Sequence, residues 1–454
     1  MDTDIDLINE EVNKKNNCPK KNIIIISIIT ALILIAVIIL VIILTKKKKE
    51  IFDIKFDYQI IQSDMGTQNI LVNWTSEDIF NISIQVKGVE NEIIRTYDIL
   101  NTDHSEKLVK VYFGKPKLYI INKKNSKTIE IDKEFIIPAK NISFAAFFGT
   151  LPSLMFSLDI FNITKNFSGP IYVTLERYNM WDWDKLPKGI YGFDILKEIK
   201  FKEGFLIILN KLRIWMGQLY EVNKNTLFNL FITDIHNFIV PSCLYSNNIP
   251  SENYNIFLLS DGTGSYLSFN EKFDNNETYL KTYNEMKNRY NEFKSYIWNQ
   301  KSYDIYSHSS KNIDLVELRD YSYIVLKEEK NAFWWLTKIK EVFCPNNPAL
   351  LEELLNNKNI VLKDLNYLFK SISGEQREQI KSLLNFSSNY FEEAYKQNKS
   401  IMLFTGTYDS YEYHFYDYLL TTELFYKNDY IYYYKAHPVS PVENNPKKIE
   451  NLKK

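Results

Sequence analysis

Three segments put glycine, hydroxyl, carboxylate or imidazole groups directly after an apolar run, the position from which open α/β sheets act on their ligands. The first is Phe147-Phe148-Gly149-Thr150-Leu151-Pro152-Ser153. Glycine permits close main-chain approach, and the start of a following helix offers N–H groups to an anion. An ordinary strand–helix connection has the same composition. The second is Ile256-Phe257-Leu258-Leu259-Ser260-Asp261-Gly262-Thr263-Gly264-Ser265-Tyr266. It sets a carboxylate at a strand end, followed by two glycines and several hydroxyls, although Asp-Gly is also a common turn dipeptide. The third is Tyr432-Tyr433-Tyr434-Lys435-Ala436-His437-Pro438. There an apolar strand ends in Lys and His, and Pro fixes the exit. His437 can donate a proton or hold a phosphate near neutral pH, and Lys435 supplies charge. The other histidines, His104, His236, His308 and His414, lie in no comparable setting. Asp182-Trp183-Asp184 is a DxD, the spacing that holds a divalent ion against a sugar nucleotide diphosphate. Its neighbours Tyr178 and Trp181 and the following KLPKG point instead to a surface loop.

Taken in order, Gly149-Thr150-Leu151-Pro152-Ser153-Leu154, Ser260-Asp261-Gly262-Thr263-Gly264-Ser265-Tyr266, Leu403-Phe404-Thr405-Gly406-Thr407 and Tyr434-Lys435-Ala436-His437-Pro438 form a pattern. It resembles the bacterial-type sialyltransferases and polysialyltransferases. The likeness covers roughly 142–438 and lies in the order of short motifs. It implies a GT-B-like pair of Rossmann-type half-domains and an inverting transfer of sugar from CMP-sialic acid to a glycan hydroxyl. It implies Asp261 as general base on the acceptor and His437 as acid and phosphate partner of the departing nucleotide. Gly149, Thr150, Gly262, Thr263, Gly264, Ser265, Thr405, Gly406, Thr407, Lys435 and Pro438 are the implied substrate- and nucleotide-binding residues, with Gly406 and Thr407 on the nucleotide side. No metal and no cofactor beyond the donor substrate is implied. Such a transfer develops positive charge on the sugar while a phosphate leaves, so a carboxylate and a cationic group across a cleft suit it. Two departures stand out. Ser260 occupies the first position of an acidic-acidic-Gly motif. The chain also ends at Lys454, before the family's further strands and its Ser/Thr-rich nucleotide-contact motif. An incomplete second half-domain is therefore expected. The competing reading is a catalytically inactive surface or adhesion protein with a degenerate glycosyltransferase fold.

The elements that must position these residues alternate in type. After Pro138, the runs NISFAAF, IYVTLER, TLFNLFITDI and YNIFLLSDG read as strands separated by helical stretches, which predicts an α/β layer with a parallel sheet over 142–330. A polar helix is expected over 276–303. A second α/β unit is expected over 331–454, with a helix from Gly374 to Gln397, a strand from Ser400 to Gly406 and a strand from Asp429 to Lys435. Residues 51–138 hold short alternating runs, among them ILVNW, FNISIQV, KLVKVYF, KLYIIN and KTIEI. Seven or so strands with one early Trp (Trp74) predict a β-sandwich stem of immunoglobulin or fibronectin type III kind.

Ahead of the stem, Ile23–Leu44 carries no charge. About 22 residues at ~1.5 Å rise reach ~33 Å, enough to cross a ~30 Å hydrocarbon core. A transmembrane helix over 23–45, following a short tail over 1–22, is expected, and it is too long for a cleaved signal peptide. Lysines flank it on both sides, so charge does not orient it. Asn-x-Ser/Thr sequons at Asn73, Asn81, Asn141, Asn162, Asn166, Asn276, Asn385 and Asn398 all follow it. They favour a single-pass glycoprotein, a signal-anchor type with a cytoplasmic N-terminus and a lumenal or extracellular body. With 55 basic and 56 acidic side chains the net charge is −1, which gives no electrostatic footprint for nucleic acid. The membrane, a nucleotide sugar and a glycan acceptor are the expected partners. Among three cysteines no CxxC pair occurs; Cys243 and Cys344 read either as one disulfide or as two buried thiols.

Overall fold

The computed structural model describes residues 20–47, 54–61, 68–87, 93–111, 113–123, 128–130, 135–147, 149–175, 180–192, 201–237, 240–298, 321–338, 343–344, 346–405, 430–435 and 447–448. The apolar run near the N-terminus lies in one helix, α1 (Lys20–Lys47). Its large apolar side chains from Ile28 to Val41 are about half exposed. Among the described residues, no helix is long and apolar enough to cross a membrane. The helix expected over 23–45 is present, and the membrane span read from it is not supported.

The stem region forms one antiparallel sheet from β1 (Ile54–Ile61), β2 (Gln68–Lys87), β3 (Ile93–Val111), β4 (Lys117–Asn122) and β5 (Thr128–Glu130). Among the described residues the stem is this one sheet of five strands, where about seven short strands in a β-sandwich were expected. ILVNW and FNISIQV are two halves of β2, and register shifts between Thr75 and Ile82 absorb the polar run between them as a bulge. β2 pairs with β1, β3 and β4 in turn. Ile70, Val72 and Trp74 from its first half and Ile84 and Val86 from its second share one core with Val109, Leu118 and Ile120.

Beyond the stem, strands alternate with helices as expected. β6 (Asn141–Phe147), α2 (Thr150–Asn166), β7 (Ile171–Leu175) and β8 (Ile190–Gly192) are followed by α3 (Phe201–Val222) and β9 (Leu227–Thr233). α4 (Ser242–Tyr245), β10 (Tyr254–Leu259), α5 (Thr263–Phe273), α6 (Tyr279–Trp298), α7 (Ser322–Glu328), β11 (Ala332–Leu336), α8 (Pro348–Asn356) and β12 (Ile360–Leu362) complete the layer. The strands form a seven-stranded sheet in the order β12-β11-β10-β9-β6-β7-β8, and every neighbouring pair is parallel. Its central strands are buried on both faces, which explains their near-continuous apolar sequences. Alternate residues enter two different cores. Ile142, Phe144, Leu230, Ile232, Ile256, Leu258 and Trp334 pack with α3 to α7, while Ala145, Phe147, Phe231, Phe257 and Trp335 pack with α2. Phe231 and Phe257 stack across β9 and β10 with ring centroids 4.5 Å apart.

The expected division at residue 331 falls inside this sheet, because β11 and β12 pair onto β10. The segment after β12 also returns to it. α9 (Leu365–Ser371) and α10 (Gly374–Leu383) bring Leu368, Ile372 and Ile380 against Leu158 of α2. Lys363 Nζ forms an ion pair with buried Asp159 of α2 and lies 4.0 Å from the Trp335 ring centroid. The long helix expected from Gly374 to Gln397 is two helices, α10 and α11 (Glu392–Lys396). α10 starts in a capping box made by Ser373 and Gln376. It stops at Asn385, whose φ is +50°. There the N–H groups of Phe386 and Asn385 donate to the carbonyls of Lys381 and Ser382, a Schellman closure. A separate sheet pairs β13 (Ser400–Thr405) with β14 (Tyr430–Lys435) in parallel and β14 with β15 (Lys447–Lys448) antiparallel.

Candidate active site

In spatial order the large sheet runs outward from β6 in both directions. β6, β7 and β8 go one way, and β9 to β12 go the other. The carboxyl ends of β6 and β9 therefore border the crevice where strand order reverses, the usual ligand position in such sheets. Gly149 follows β6, Asp234 follows β9, and Ser260-Asp261-Gly262 follows β10, so three adjacent strand ends supply one site.

Gly149 is the N-cap of α2 and has φ +83° and ψ 169°, a main-chain region reserved to glycine. A Cβ on Gly149 would overlap Asp261 Oδ1. Gly262, at φ +92°, is the N-cap of α5, and a Cβ there would meet Leu151 Cδ2 at 3.1 Å. The loops after β6 and β10 thus interlock through two glycines, and a side chain at either position would drive them apart. Asp261 is half-buried and Gly264 exposed, so this edge opens to solvent.

Behind Asp261 lies Asp234, 1% exposed. Its Oδ1 accepts the main-chain N–H of Asp261 at 3.1 Å and the Ser265 hydroxyl at 2.8 Å. Its Oδ2 accepts Trp334 Nε1–H at 3.1 Å. The Asp261 N–H is shared with Ser265 Oγ, 3.1 Å away. Burial pushes the Asp234 carboxyl up to about 6, against the opposing pull of its bonds from Ser265, Trp334, Asp261 and Ile235. Its carbonyl accepts from Ser322 Oγ at 3.0 Å and Asn237 Nδ2 at 2.8 Å. Ser260, fully buried, accepts the N–H of Gly262 on its hydroxyl at 3.0 Å.

Of the residues singled out in the sequence, Gly149, Thr150, Asp261, Gly262, Thr263, Gly264 and Ser265 gather at this edge by virtue of their strand ends. Thr405 and Lys435 are register partners at the carboxyl ends of β13 and β14. Gly406, Thr407, His437 and Pro438 lie outside the described residues. Asp234 was not singled out. Its signal is the same as that of Asp261: an apolar strand, TLFNLFIT, ending in a carboxylate. Asp182-Trp183-Asp184 forms a tight turn in which Asp182 Oδ1 accepts the Asp184 N–H at 3.1 Å, and the Asp182 N–H donates to Leu383. Among the described residues, no group of three or more His, Cys, Asp or Glu side chains is placed to hold a metal. Cys243 and Cys344 are both buried and unbridged, and burial raises each thiol to about 12.

Neither a protein-family model nor a curated protein matches the chain. Among solved structures it is similar to a sialyltransferase from Photobacterium damsela, 13% identical with a TM-score of 0.46 over 86% of this chain and 78% of that one. A 2,6-sialyltransferase from a Photobacterium species, solved with CMP and lactose, is 14% identical with a TM-score of 0.45 over 86% and 75% of the two chains. An α/β-galactoside α-2,3-sialyltransferase from Photobacterium phosphoreum is 15% identical with a TM-score of 0.47 over 66% and 76%.

Proposed function

We propose that the chain is an inverting, sialyltransferase-like glycosyltransferase that moves a sugar from CMP-sialic acid to a glycan hydroxyl. The observation that carries this reading is the setting of Asp261. It is a half-buried carboxylate one strand from the switch point of a parallel sheet, held against a glycine loop and anchored through its main chain. The motif order along the sequence supports the same reading. In this mechanism Asp261 takes the proton of the acceptor hydroxyl as its oxygen attacks the anomeric carbon, and the bond to CMP breaks on the opposite face. His437 protonates or pairs with the departing phosphate, which keeps charge balanced as the sugar becomes cationic. Gly149, Thr150, Gly262, Thr263, Gly264 and Ser265 shape the acceptor and sugar side. Thr405, Gly406, Thr407, Lys435 and Pro438 hold the nucleotide, and no metal takes part.

The test is release of CMP from CMP-sialic acid by the full chain, with and without a panel of glycan acceptors. Asp261→Asn should lower turnover by roughly 10²–10⁴ while leaving CMP binding intact. A wild-type chain that neither binds CMP nor releases it from the donor would overturn the reading. In the same proposal α1 anchors the protein in a membrane with the body on the far side from the first residues. Its 28 residues extend about 42 Å as a helix. Protease added to sealed vesicles should degrade only one end of the chain; loss of both ends together would exclude this topology.

A further inference from the structure

We propose that Asp234 is a positioning residue for Asp261: its buried carboxylate ties the main chain of Asp261 and the hydroxyl of Ser265 to the end of β9, and so fixes where the Asp261 carboxylate points. This rests on the reading of Asp261 as the base.

A carboxylate taken fully out of water is expensive unless every lone pair is used. Asp234 meets that requirement with donors from separate elements. Asp261 N–H comes from the loop after β10, Ser265 Oγ–H from the first turn of α5, and Trp334 Nε1–H from β11. One side chain therefore fastens the ends of β9 and β10 to each other and to the middle of β11. Its main chain is held as firmly, because the carbonyl takes bonds from Asn237 and Ser322. Two of its donors belong to the five-residue stretch that carries Asp261, and the N–H of Asp261 itself is one of them. A core that needed only stability would fill this position with an apolar side chain. A carboxylate there instead orients its neighbours, at the cost of its own burial.

The geometry also says what each substitution changes. Asp234→Asn keeps the shape but replaces one acceptor oxygen with an NH₂ group. Trp334 Nε1–H can only donate and so keeps the amide oxygen, while the Ser265 hydroxyl can turn to accept from the NH₂; the bond lost is the one from the Asp261 N–H. Trp334→Phe removes only the donor to Oδ2 and leaves both bonds to the Asp261 loop in place. Ser265→Ala removes two bonds on the loop side, the donor to Asp234 Oδ1 and the second acceptor of the Asp261 N–H, and leaves the Asp261 N–H bond to Asp234 in place.

The experiment measures turnover, KM for donor and acceptor, and amide hydrogen exchange of the 260–266 segment in the full-length protein. For Asp234→Asn, kcat should fall about 10- to 100-fold with donor KM changed less than about threefold, the signature of a misaimed base. Exchange at 261–265 should rise at least about tenfold while β9 and β10 keep their protection. Trp334→Phe should cost less than about fivefold in kcat. Equal losses in Trp334→Phe and Asp234→Asn, or an Asp234→Asn variant that keeps wild-type kcat, would overturn the proposal. Should Asp234→Asn fail to fold, Ser265→Ala carries the test through hydrogen exchange, because Ser265 also lines the proposed sugar side: exchange at 261–264 should rise at least about threefold, and unchanged exchange overturns the proposal. If the wild type turns over no sugar nucleotide, the reading of Asp261 as a base fails, and exchange alone decides the positioning. Unchanged exchange at 261–265 in the variant then refutes it.

Discussion

The carboxylate of Asp261 lies against the α-carbon of Gly149, in the space a β-carbon would occupy. Two loops distant in sequence thereby share one boundary: the turn that starts α2 and the turn that starts α5. The candidate base can sit there only because residue 149 has no side chain and holds a main-chain conformation that other residues avoid.

Gly149→Ala should therefore damage the site twice. The backbone strain alone costs about 1–3 kcal/mol. The added methyl must also push the Asp261 carboxylate aside, so turnover should fall by roughly 10²-fold, as expected for a reacting group moved by about 1 Å. Kinetics with CMP-sialic acid, alongside thermal melting, separate the two effects. A variant with a lower melting temperature but wild-type kcat would show that Asp261 tolerates displacement.

Asp234 makes stability depend on pH in the direction opposite to a salt-bridged carboxylate. Its folded pKa, about 6, lies above the usual 3.8. The native state then holds this proton more readily than the unfolded chain. The contribution is fully present below the unfolded value and is lost as pH rises through about 6. Asp234→Asn lacks this titration. The stability of the wild type minus that of the variant should shrink by on the order of 3 kcal/mol between about pH 4 and pH 7. Urea unfolding of both proteins across that range measures it, and a constant difference would contradict the assignment.

Lys363 ties the segment after β12 to α2 through Asp159, whose carboxylate is 3% exposed. Lys363→Met strands that carboxylate in the core, where only Asn162 Nδ2 remains as a bonded partner among the side-chain hydrogen bonds described. A loss of about 3–5 kcal/mol is expected. The double variant Asp159→Asn/Lys363→Met should recover most of it, since the uncompensated charge has gone. Denaturant midpoints for the three proteins test this. Equal destabilisation of single and double variants would mean that packing over Trp335, not charge, dominates.

The Asp182-Trp183-Asp184 turn gives a sharp test between enzyme classes. Its carboxylate closes a local turn against Asp184 N–H. Asp182→Asn and Asp184→Asn should leave turnover within about twofold, and a chelator should not slow CMP release. Activity abolished by chelation and restored by Mn²⁺ would point to metal-dependent chemistry instead.

Much of the fold was open to a reading of local sequence because its cause is local. Buried parallel strands need unbroken apolar residues, so NISFAAF, IYVTL, TLFNLFIT and YNIFLL announce themselves. Polar residues at the ends of β6 and β10 marked Gly149 and Asp261, since a strand end is where a chain stops being buried. Strand breaks and helix lengths were less legible. The polar run between Trp74 and Phe80 reads as a turn, yet pairing with β3 carries β2 through it as a bulge. The segment 374–397 reads as one helix, yet Asn385 adopts positive φ and ends it.

Sequence by itself determined which strands would be buried and which residue types would stand at their carboxyl ends, because burial periodicity and turn chemistry act over a few residues. Only the tertiary structure decided which of those ends meet. Asp234 and Asp261 are 27 positions apart and carry identical local signals, but strand order puts one behind the other. Trp334, 100 positions from Asp234, completes the buried carboxylate's bonding from the far side of β10. The boundary at 331 dissolved for the same reason: β11 and β12 find their hydrogen bonds on β10, a pairing that depends on the whole layer and is written in no single segment.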